Sequence, residues 1–165
     1  MKGTLITVIL LAAAVGGLWF VADRRNERIR LHNEQVRAEA AAKVQAERLA
    51  WFGEAGLNPD IEWRETGLGV LHLRRGTGLQ PTPGSEVKFN YAVKLADGAE
   101  VQRPEKPTEA RIGQMVPGVS AGLQAMQEGG HAILFIPPVM GYGRSGYGPI
   151  PPDAGLQFEV ELLVP

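Results

Sequence analysis

The segment at residues 140–152 limits what this chain can fold into more than any other stretch. It holds four glycines, two tyrosines and three prolines. Proline lacks a backbone donor and glycine loses the most conformational entropy on ordering, so neither a helix nor a central strand can run through it. Apolar runs at residues 132–138 and 156–164 flank the segment. It is therefore predicted to be a long loop between two core strands, a typical location for a functional site.

The N-terminus has a different character, because residues 3–21 contain no charged side chain. A helix of this length would span about 28 Å, close to the thickness of a bilayer core. We predict that residues 1–22 form a signal anchor, that is, a transmembrane helix. A cleaved signal peptide is the alternative, because Ala12 and Ala14 offer a small-residue cleavage site. The arginines that follow favour a cytoplasmic domain by the positive-inside rule, although long domains are translocated largely regardless of charge.

Residues 23–52 lack glycine and proline and are rich in alanine, arginine, glutamate and glutamine, a composition typical of helices. Opposite charges at helical spacing, such as Glu39 and Lys43, support the helix. Its apolar side chains form only an irregular stripe, so we predict a solvated stalk over residues 23–56. A homodimer through residues 23–52 is the alternative, although a regular heptad is missing. Residues 57–66 are predicted to be a linker.

Strand patterns begin at residue 67, and residues 67–165 are predicted to form one domain. Apolar and polar side chains alternate over residues 87–95 and again over 156–162, which predicts two half-buried strands. Residues 132–136 form a continuous apolar run and residues 68–73 a less regular one. Both are further strand candidates.

A single short helix is predicted between these strands. Val119, Leu123 and Met126 recur at helical spacing. Pro117 suits the first turn of such a helix, and the glycine pair at 129–130 suits its end. One short helix packed against an antiparallel sheet makes the predicted fold class α+β.

Composition and spacing exclude several kinds of chemistry. The net charge is −1, so no electrostatic field favours nucleic acid. The chain has no cysteine, and its three histidines do not show metal-ligand spacing. The pattern Gly141-x-Gly143-x-x-Gly146 matches a dinucleotide-binding motif formally, but that motif needs a helix that the following prolines forbid. We predict no metal and no cofactor, and any reaction must proceed without covalent catalysis.

Several short motifs follow one another between residues 67 and 164. They are Phe89-Asn90-Tyr91, Asp97-Gly98, Met115-Val116-Pro117-Gly118, Gly122-Leu123-Gln124-Ala125-Met126, Ile136-Pro137-Pro138, Gly141-Tyr142-Gly143, Ile150-Pro151-Pro152 and Phe158-Glu159-Val160-Glu161-Leu162-Leu163. Their order and spacing resemble the FKBP family of peptidyl-prolyl cis/trans isomerases. The resemblance implies an FKBP-like, strongly bent antiparallel β-sheet wrapped around one short helix, with an apolar cleft between them. The anchor and the helix that precede this domain resemble the N-terminal additions of bacterial members of the family, which are commonly exported. We therefore expect a protein of the bacterial inner membrane with this domain in the periplasm, and the arginine count leaves the cytoplasmic orientation open.

The activity that the resemblance implies is cis/trans isomerisation of Xaa-Pro bonds in proline-containing polypeptides, which assists protein folding. Resonance gives the peptide bond a rotation barrier of roughly 18–20 kcal/mol, and Xaa-Pro bonds populate both isomers. The twisted amide has less charge separation than the planar one, so a water-poor apolar cleft favours it. A thousandfold acceleration needs only about 4 kcal/mol, which shape, desolvation and a few hydrogen bonds can supply.

The resemblance also implies roles for particular residues. Tyr142 would be a loop tyrosine whose hydroxyl donates to a ligand carbonyl, and Val116 would anchor the ligand through its backbone N–H. These two are the implied catalytic residues. The residues implied to bind substrate are Tyr91, Val101, Gln102, Met115, Val119, Tyr147, Ile150 and Phe158.

The chain departs from the family pattern at the cleft. Val101 and Gln102 stand where the family usually has phenylalanine and aspartate, and Val119 stands where it usually has tryptophan. We expect a cleft that is wider, less aromatic and poorer in hydrogen bonding. A second hypothesis follows from these departures, namely an FKBP-like peptide-binding or chaperone module with weak or no isomerase activity.

Overall fold

The computed structural model describes the backbone of residues 2–164 and the side chains of residues 24–164. The chain divides into two compact units, Met1–Val44 and Gln45–Pro165. Helix α1 runs over Lys2–Phe52, so it supplies the first unit and the beginning of the second. It includes the helix that composition predicts.

The side chains of residues 24–46 are all exposed, as expected for a solvated helix. The predicted membrane anchor at residues 1–22 lies outside the residues whose side chains are described. Among the described residues, no helix combines the length and the apolar character that crossing a membrane requires.

Within the described residues, seven strands form one antiparallel sheet. The strands are β1 (Glu62–Trp63), β2 (Gly69–Arg74), β3 (Glu86–Lys94), β4 (Glu100–Gln102), β5 (Thr108–Arg111), β6 (His131–Ile136) and β7 (Leu156–Leu162). They are ordered β1-β2-β6-β7-β3-β4, and β5 pairs with the first half of β3. The four strands predicted from sequence correspond to β2, β3, β6 and β7, whereas the short strands β1, β4 and β5 were not predicted.

Helix α2 (Pro117–Leu123) packs against the inner face of the sheet. Alternation places Leu134 on β6 and Val160 on β7 towards the helix, and both side chains are fully buried. Leu123 on the helix is fully buried as well. This arrangement confirms the predicted antiparallel sheet with one short helix.

The contact between α2 and β6 is close because the helix carries glycine at the crossing. A methyl group built on Gly122 would overlap the side chain of Leu134, and one built on Gly118 would overlap Ile136. Only a residue without a Cβ lets the helix approach this near.

Alanine in place of Gly122 is therefore expected to lower the free energy of unfolding by about 1–3 kcal/mol, the usual cost of overfilling a well-packed core. Urea unfolding of the full-length protein measures this change. An unchanged or higher midpoint would mean that α2 lies too far from β6 for a methyl group at position 122 to overlap Leu134.

The outer face of the sheet carries a second apolar cluster, the outer-face cluster. Its buried members are Phe52, Ile61 and Phe135, and its half-buried members are Trp51, Trp63, Leu71 and Ile133. The ring of Phe52 lies edge-on to that of Phe135, with 5.5 Å between centroids. Nε2 of Gln157 donates to the carbonyl of Phe52 over 2.8 Å, so the end of α1 is joined to β7 by a polar contact too.

Because of the outer-face cluster, the compact unit begins earlier in the sequence than residue 67, the predicted start of the domain. Residues 45–66 were predicted to belong to a stalk and a linker, yet the compact unit begins at Gln45. The physical reason is that β2 and β6 present apolar side chains outward. The end of α1 and the segment after it supply the cover that keeps those side chains from water.

Candidate active site

A cleft of about 300 Å³ opens between β3, β5, the start of α2 and the 140–152 loop. The residues that line it are Phe89, Tyr91, Gln102, Thr108, Ala110, Gln114, Met115, Val116, Val119, Tyr142 and Phe158. Among these described residues none carries a full charge at neutral pH. The cleft is therefore an apolar site with a few hydrogen-bonding groups.

The wall of the cleft is built by aromatic side chains of β3 and β7. These strands pair so that Val93 faces Phe158 and Tyr91 faces Val160, which makes Tyr91 and Phe158 diagonal neighbours on the inner face. Their rings stack with 4.7 Å between centroids and 13° between planes. Phe89 lies 5.7 Å from Tyr91, so three rings form a continuous surface.

Val116 lies at the point where α2 begins. Its carbonyl accepts hydrogen bonds from the backbone N–H groups of Val119 and Ser120, over 3.1 and 3.2 Å. Its own backbone is extended, with φ −53° and ψ 143°. No group in residues 24–164 accepts a hydrogen bond from the N–H of Val116, and Val116 lines the cleft.

The 140–152 loop is held in shape by its own backbone. Tyr147 and Ile150 exchange two backbone hydrogen bonds of 2.9 Å each, and the N–H of Asp153 donates to the carbonyl of Gly143 over 2.9 Å. Gly146 has φ 63°, and a methyl group there would overlap the carbonyl of Ile150. Glycine is thus required at this turn.

Tyr142 is presented to the cleft by this loop. Its ring stacks on Tyr147 with 5.1 Å between centroids. Burial, and next the neighbouring Tyr147, raises the pKa of Tyr142 above its usual range. Its hydroxyl is therefore protonated at neutral pH, and it forms no hydrogen bond to another described residue.

Tyr91 has a partner for its hydroxyl oxygen. Nε2 of Gln102 donates to it over 2.8 Å. Burial, and next the neighbouring Tyr142, raises the pKa of Tyr91 as well. Both cleft tyrosines thus stay neutral through the physiological range.

The structure brings seven of the ten predicted site residues together in the cleft. These are Tyr91, Gln102, Met115, Val116, Val119, Tyr142 and Phe158. Their binding and catalytic roles stay predictions.

The other three predicted residues, Val101, Tyr147 and Ile150, are not among the residues that line the cleft, and their binding roles stay predictions as well. Ile150 is 3% exposed and belongs to the main core, because the turn at Tyr147–Ile150 points it inward. Tyr147 is 64% exposed and covers the outer side of Tyr142. Val101 packs against the core from β4.

Four lining residues were missed as site residues by sequence reasoning: Phe89, Thr108, Ala110 and Gln114. A signal for two of them exists, because Thr108 and Ala110 alternate with the exposed Glu109 and Arg111 in β5. The strand is only four residues long, which is too short for alternation to stand out. Among the described residues, no group of histidine or acidic side chains is arranged to hold a metal ion.

Comparison with known proteins gives a consistent result. A family model described as FKBP-type peptidyl-prolyl cis-trans isomerase matches residues 78–163, which include every residue that lines the cleft. The FKBP-type peptidyl-prolyl cis-trans isomerase FkpA of Escherichia coli is 33% identical over 133 residues, covering 79% of this chain and 48% of that protein. A peptidyl-prolyl cis-trans isomerase of Arabidopsis thaliana is 34% identical over 138 residues, covering 79% of this chain and 92% of that protein.

A solved structure extends the likeness to the fold. The crystal structure of FkpA from Escherichia coli matches with a TM-score of 0.67 and 28% identity, covering 84% of this chain and 70% of that chain. The chain spans about half the length of the Escherichia coli relative it matches.

Proposed function

Because the chain belongs to the FKBP-type peptidyl-prolyl cis-trans isomerase family, we propose that it catalyses cis/trans isomerisation of Xaa-Pro bonds and so assists the folding of other proteins. The observation that carries the proposal is the uncharged aromatic cleft lined by Val116 and Tyr142, whose N–H and hydroxyl donate to no other described residue.

This arrangement suits rotation about an amide bond. The planar amide separates charge between its oxygen and nitrogen, and the twisted amide does so less, so removal from water disfavours the planar state relative to the twisted one. The donors of Val116 and Tyr142 would hold carbonyl groups on either side of the rotating bond. No proton is transferred and no covalent intermediate forms.

A refolding assay with the full-length protein tests the proposal. The substrate is an unrelated protein whose slow refolding is limited by a proline bond, a step that takes tens of seconds or more without a catalyst. We expect the slow phase to become faster in proportion to the concentration of this protein. An unchanged slow phase at micromolar concentration would contradict the proposed activity.

The second hypothesis, peptide binding without turnover, is favoured by one feature of the cleft. Val119 is aliphatic and Gln102 is neutral, in positions where the sequence pattern of the family implies an aromatic floor and a carboxylate. Chemical-shift changes on adding a proline-containing peptide, without faster isomerisation of that peptide, would support binding alone.

Phenylalanine in place of Tyr142 is expected to lower kcat/KM by about two- to tenfold, because one neutral hydrogen bond to the substrate is lost. Tyr147→Phe is the matched control, since Tyr147 is 64% exposed and lies outside the cleft. Activity assays of both variants with a proline-containing peptide provide the measurement. Equal activity of Tyr142→Phe and wild type would mean that this hydroxyl takes no part.

The pH profile of the activity is expected to be flat from about pH 5 to pH 9, since the described cleft residues titrate only at their two tyrosines. Burial raises the pKa of Tyr91 and Tyr142, so the folded state holds these protons more tightly than the unfolded chain. The stability they contribute is therefore complete below about pH 10 and falls as the pH rises further. A titration of kcat/KM against pH tests the flat activity profile, and a step in kcat/KM between pH 5 and pH 9 would contradict it.

We further propose that residues 1–22 anchor the protein in the bacterial inner membrane, with the compact unit Gln45–Pro165 in the periplasm. The uncharged stretch of residues 3–21 supports the anchor. A reporter enzyme fused to the C-terminus and active only in the periplasm tests the orientation. Release of the protein from membranes by alkaline carbonate would argue against an anchor.

A homodimer through residues 23–52 is a related proposal. Ile29, Leu31 and Val36 support it, because about half of each side chain is exposed on the helix. Sedimentation equilibrium of wild type and of a Val36→Glu variant tests it. A monomeric wild type would contradict the proposed dimer. If the wild type is a dimer and the Val36→Glu variant a monomer, the dimer interface includes this helix.

A further inference from the structure

Tyr91 carries a hydroxyl to which the proposed function assigns no task. Its oxygen accepts a hydrogen bond from Nε2 of Gln102, with 2.8 Å between the two atoms. A phenolic hydroxyl can accept and donate at the same time, and no described residue accepts the hydrogen of this one. A free donor is therefore left on the cleft wall.

The position of this hydroxyl is fixed by the packing of its ring. Tyr91 stacks on Phe158 at 4.7 Å between centroids and touches Phe89 at 5.7 Å. The strand that carries Tyr91 is itself paired with β7. With the ring held in this way, the bond from Gln102 determines the direction in which the hydroxyl hydrogen is free to point.

We propose that Gln102 is a positioning residue that makes Tyr91 a second hydroxyl donor, beside Tyr142, for the carbonyl groups of a bound prolyl peptide. The proposal rests on the proposed isomerase function. Proline has no N–H, so the peptide around an Xaa-Pro bond offers carbonyl oxygens on both sides and few donors. A cleft wall with several donors complements such a peptide.

A carboxylate at position 102 would reverse the hydrogen bond. An ionised carboxylate only accepts, so glutamate there would take the hydroxyl hydrogen of Tyr91. The hydroxyl would then present only its oxygen to a peptide carbonyl, which cannot donate to it. The amide of Gln102 thus keeps the hydrogen of Tyr91 available.

Kinetics of combined variants test the proposal in the full-length protein. Tyr91→Phe is expected to lower kcat/KM by about two- to tenfold in the wild-type background, the effect of one neutral hydrogen bond. In a Gln102→Glu background the same substitution is expected to change kcat/KM by less than about twofold, because the donor is already consumed.

Gln114→Glu is the matched control, because Gln114 also lines the cleft and the substitution adds the same charge, whereas the hydrogen-bond partner of the Tyr91 hydroxyl is Gln102. In that background Tyr91→Phe should again cost about two- to tenfold. An equal loss in all three backgrounds, or no loss in the wild-type background, would overturn the proposal. Circular dichroism and thermal unfolding of each variant exclude a loss of fold as the cause.

A titration tests the direction of the hydrogen bond without turnover. In the full-length protein with Tyr142→Phe and Tyr147→Phe, Tyr91 is the one tyrosine left of three, so phenolate absorbance reports its pKa alone. A donor to the oxygen stabilises the phenolate. Gln102→Leu is therefore expected to raise the pKa of Tyr91 by more than Gln114→Leu does, the latter measuring the effect of apolar surface alone.

The two experiments fail in different ways. A smaller rise with Gln102→Leu than with Gln114→Leu, or a fall, would mean that Gln102 accepts from Tyr91 and would overturn the proposal. A wild-type protein without isomerase activity would remove the proposed function. The titration would then still decide whether Gln102 donates to Tyr91.

Discussion

Alanine in place of Phe52 is expected to lower the free energy of unfolding of the full-length protein by about 3–5 kcal/mol, the usual cost of deleting a buried phenylalanine ring. Phe52 has no exposed surface. Its ring lies 5.5 Å from Phe135 and 5.9 Å from Trp63. Because a domain of this size is stable by only about 5–15 kcal/mol, the loss is a large share of the total. Denaturant unfolding followed by tryptophan fluorescence measures it.

Leu49 offers the matched control for this prediction. It lies on the same helix three residues earlier, and 47% of its side chain is exposed. Its replacement by alanine is expected to change the free energy of unfolding by less than about 0.5 kcal/mol. Equally small effects at both positions would mean that α1 ends as a solvated stalk outside the domain.

Proline in place of Val116 is expected to lower kcat/KM for a proline-containing peptide by about five- to a hundredfold. The substitution removes the backbone N–H, and a substrate carbonyl left without a partner in an apolar cleft costs about 1–3 kcal/mol. The φ of Val116 is −53°, which lies inside the range that a proline ring imposes. The fold is therefore expected to persist.

Val116→Ala separates the backbone group from the side chain, because alanine keeps the N–H and trims only the part that lines the cleft. Its activity is expected to fall by less than that of Val116→Pro. Thermal unfolding of both variants shows whether the domain stays intact. Equal activities of the two folded variants would remove the N–H of Val116 from the mechanism.

Much of the domain could be predicted from local pattern. The alternation in β3 and β7 predicts both strands because each has one face on the core, and the spacing of Val119 and Leu123 predicts α2. The strands β1 and β4 could not be predicted, because a strand of two or three residues is too short to show a periodic pattern. Their existence depends on the partner strands that lie beside them.

The packing of the end of α1 on the outer face of the sheet could not be predicted for a different reason. Residues 132–136 form a continuous apolar run, and such a run is typical of a strand buried on both faces. The run itself indicates that something must lie over Phe135. The apolar run cannot indicate which distant segment covers Phe135. The sequence around Phe52 is typical of a solvated helix, so nothing in it indicates that Phe52 packs on the sheet. That information exists only in three dimensions.

The location of a cleft residue could be predicted where the residue belongs to a short motif. It could not be predicted where the geometry of a turn determines the direction of the side chain. Motif order placed Val116 and Tyr142, and the structure brings both to the cleft. Ile150 is buried in the core at the turn that pairs it with Tyr147, a placement that the sequence did not indicate. A loop has no repeating backbone geometry, so the pattern of apolar and polar residues cannot predict the direction of a loop side chain.

The backbone bonds inside the 140–152 loop have a thermodynamic consequence. The paired bonds between Tyr147 and Ile150, and the bond from Asp153 to Gly143, hold the loop in one shape before any peptide arrives. Ordering a loop on association would cost about 1–2 kcal/mol of backbone entropy per residue. Such preorganisation leaves the entropic cost of association mainly to the incoming peptide, so stiff segments should be captured more tightly than flexible ones of the same composition.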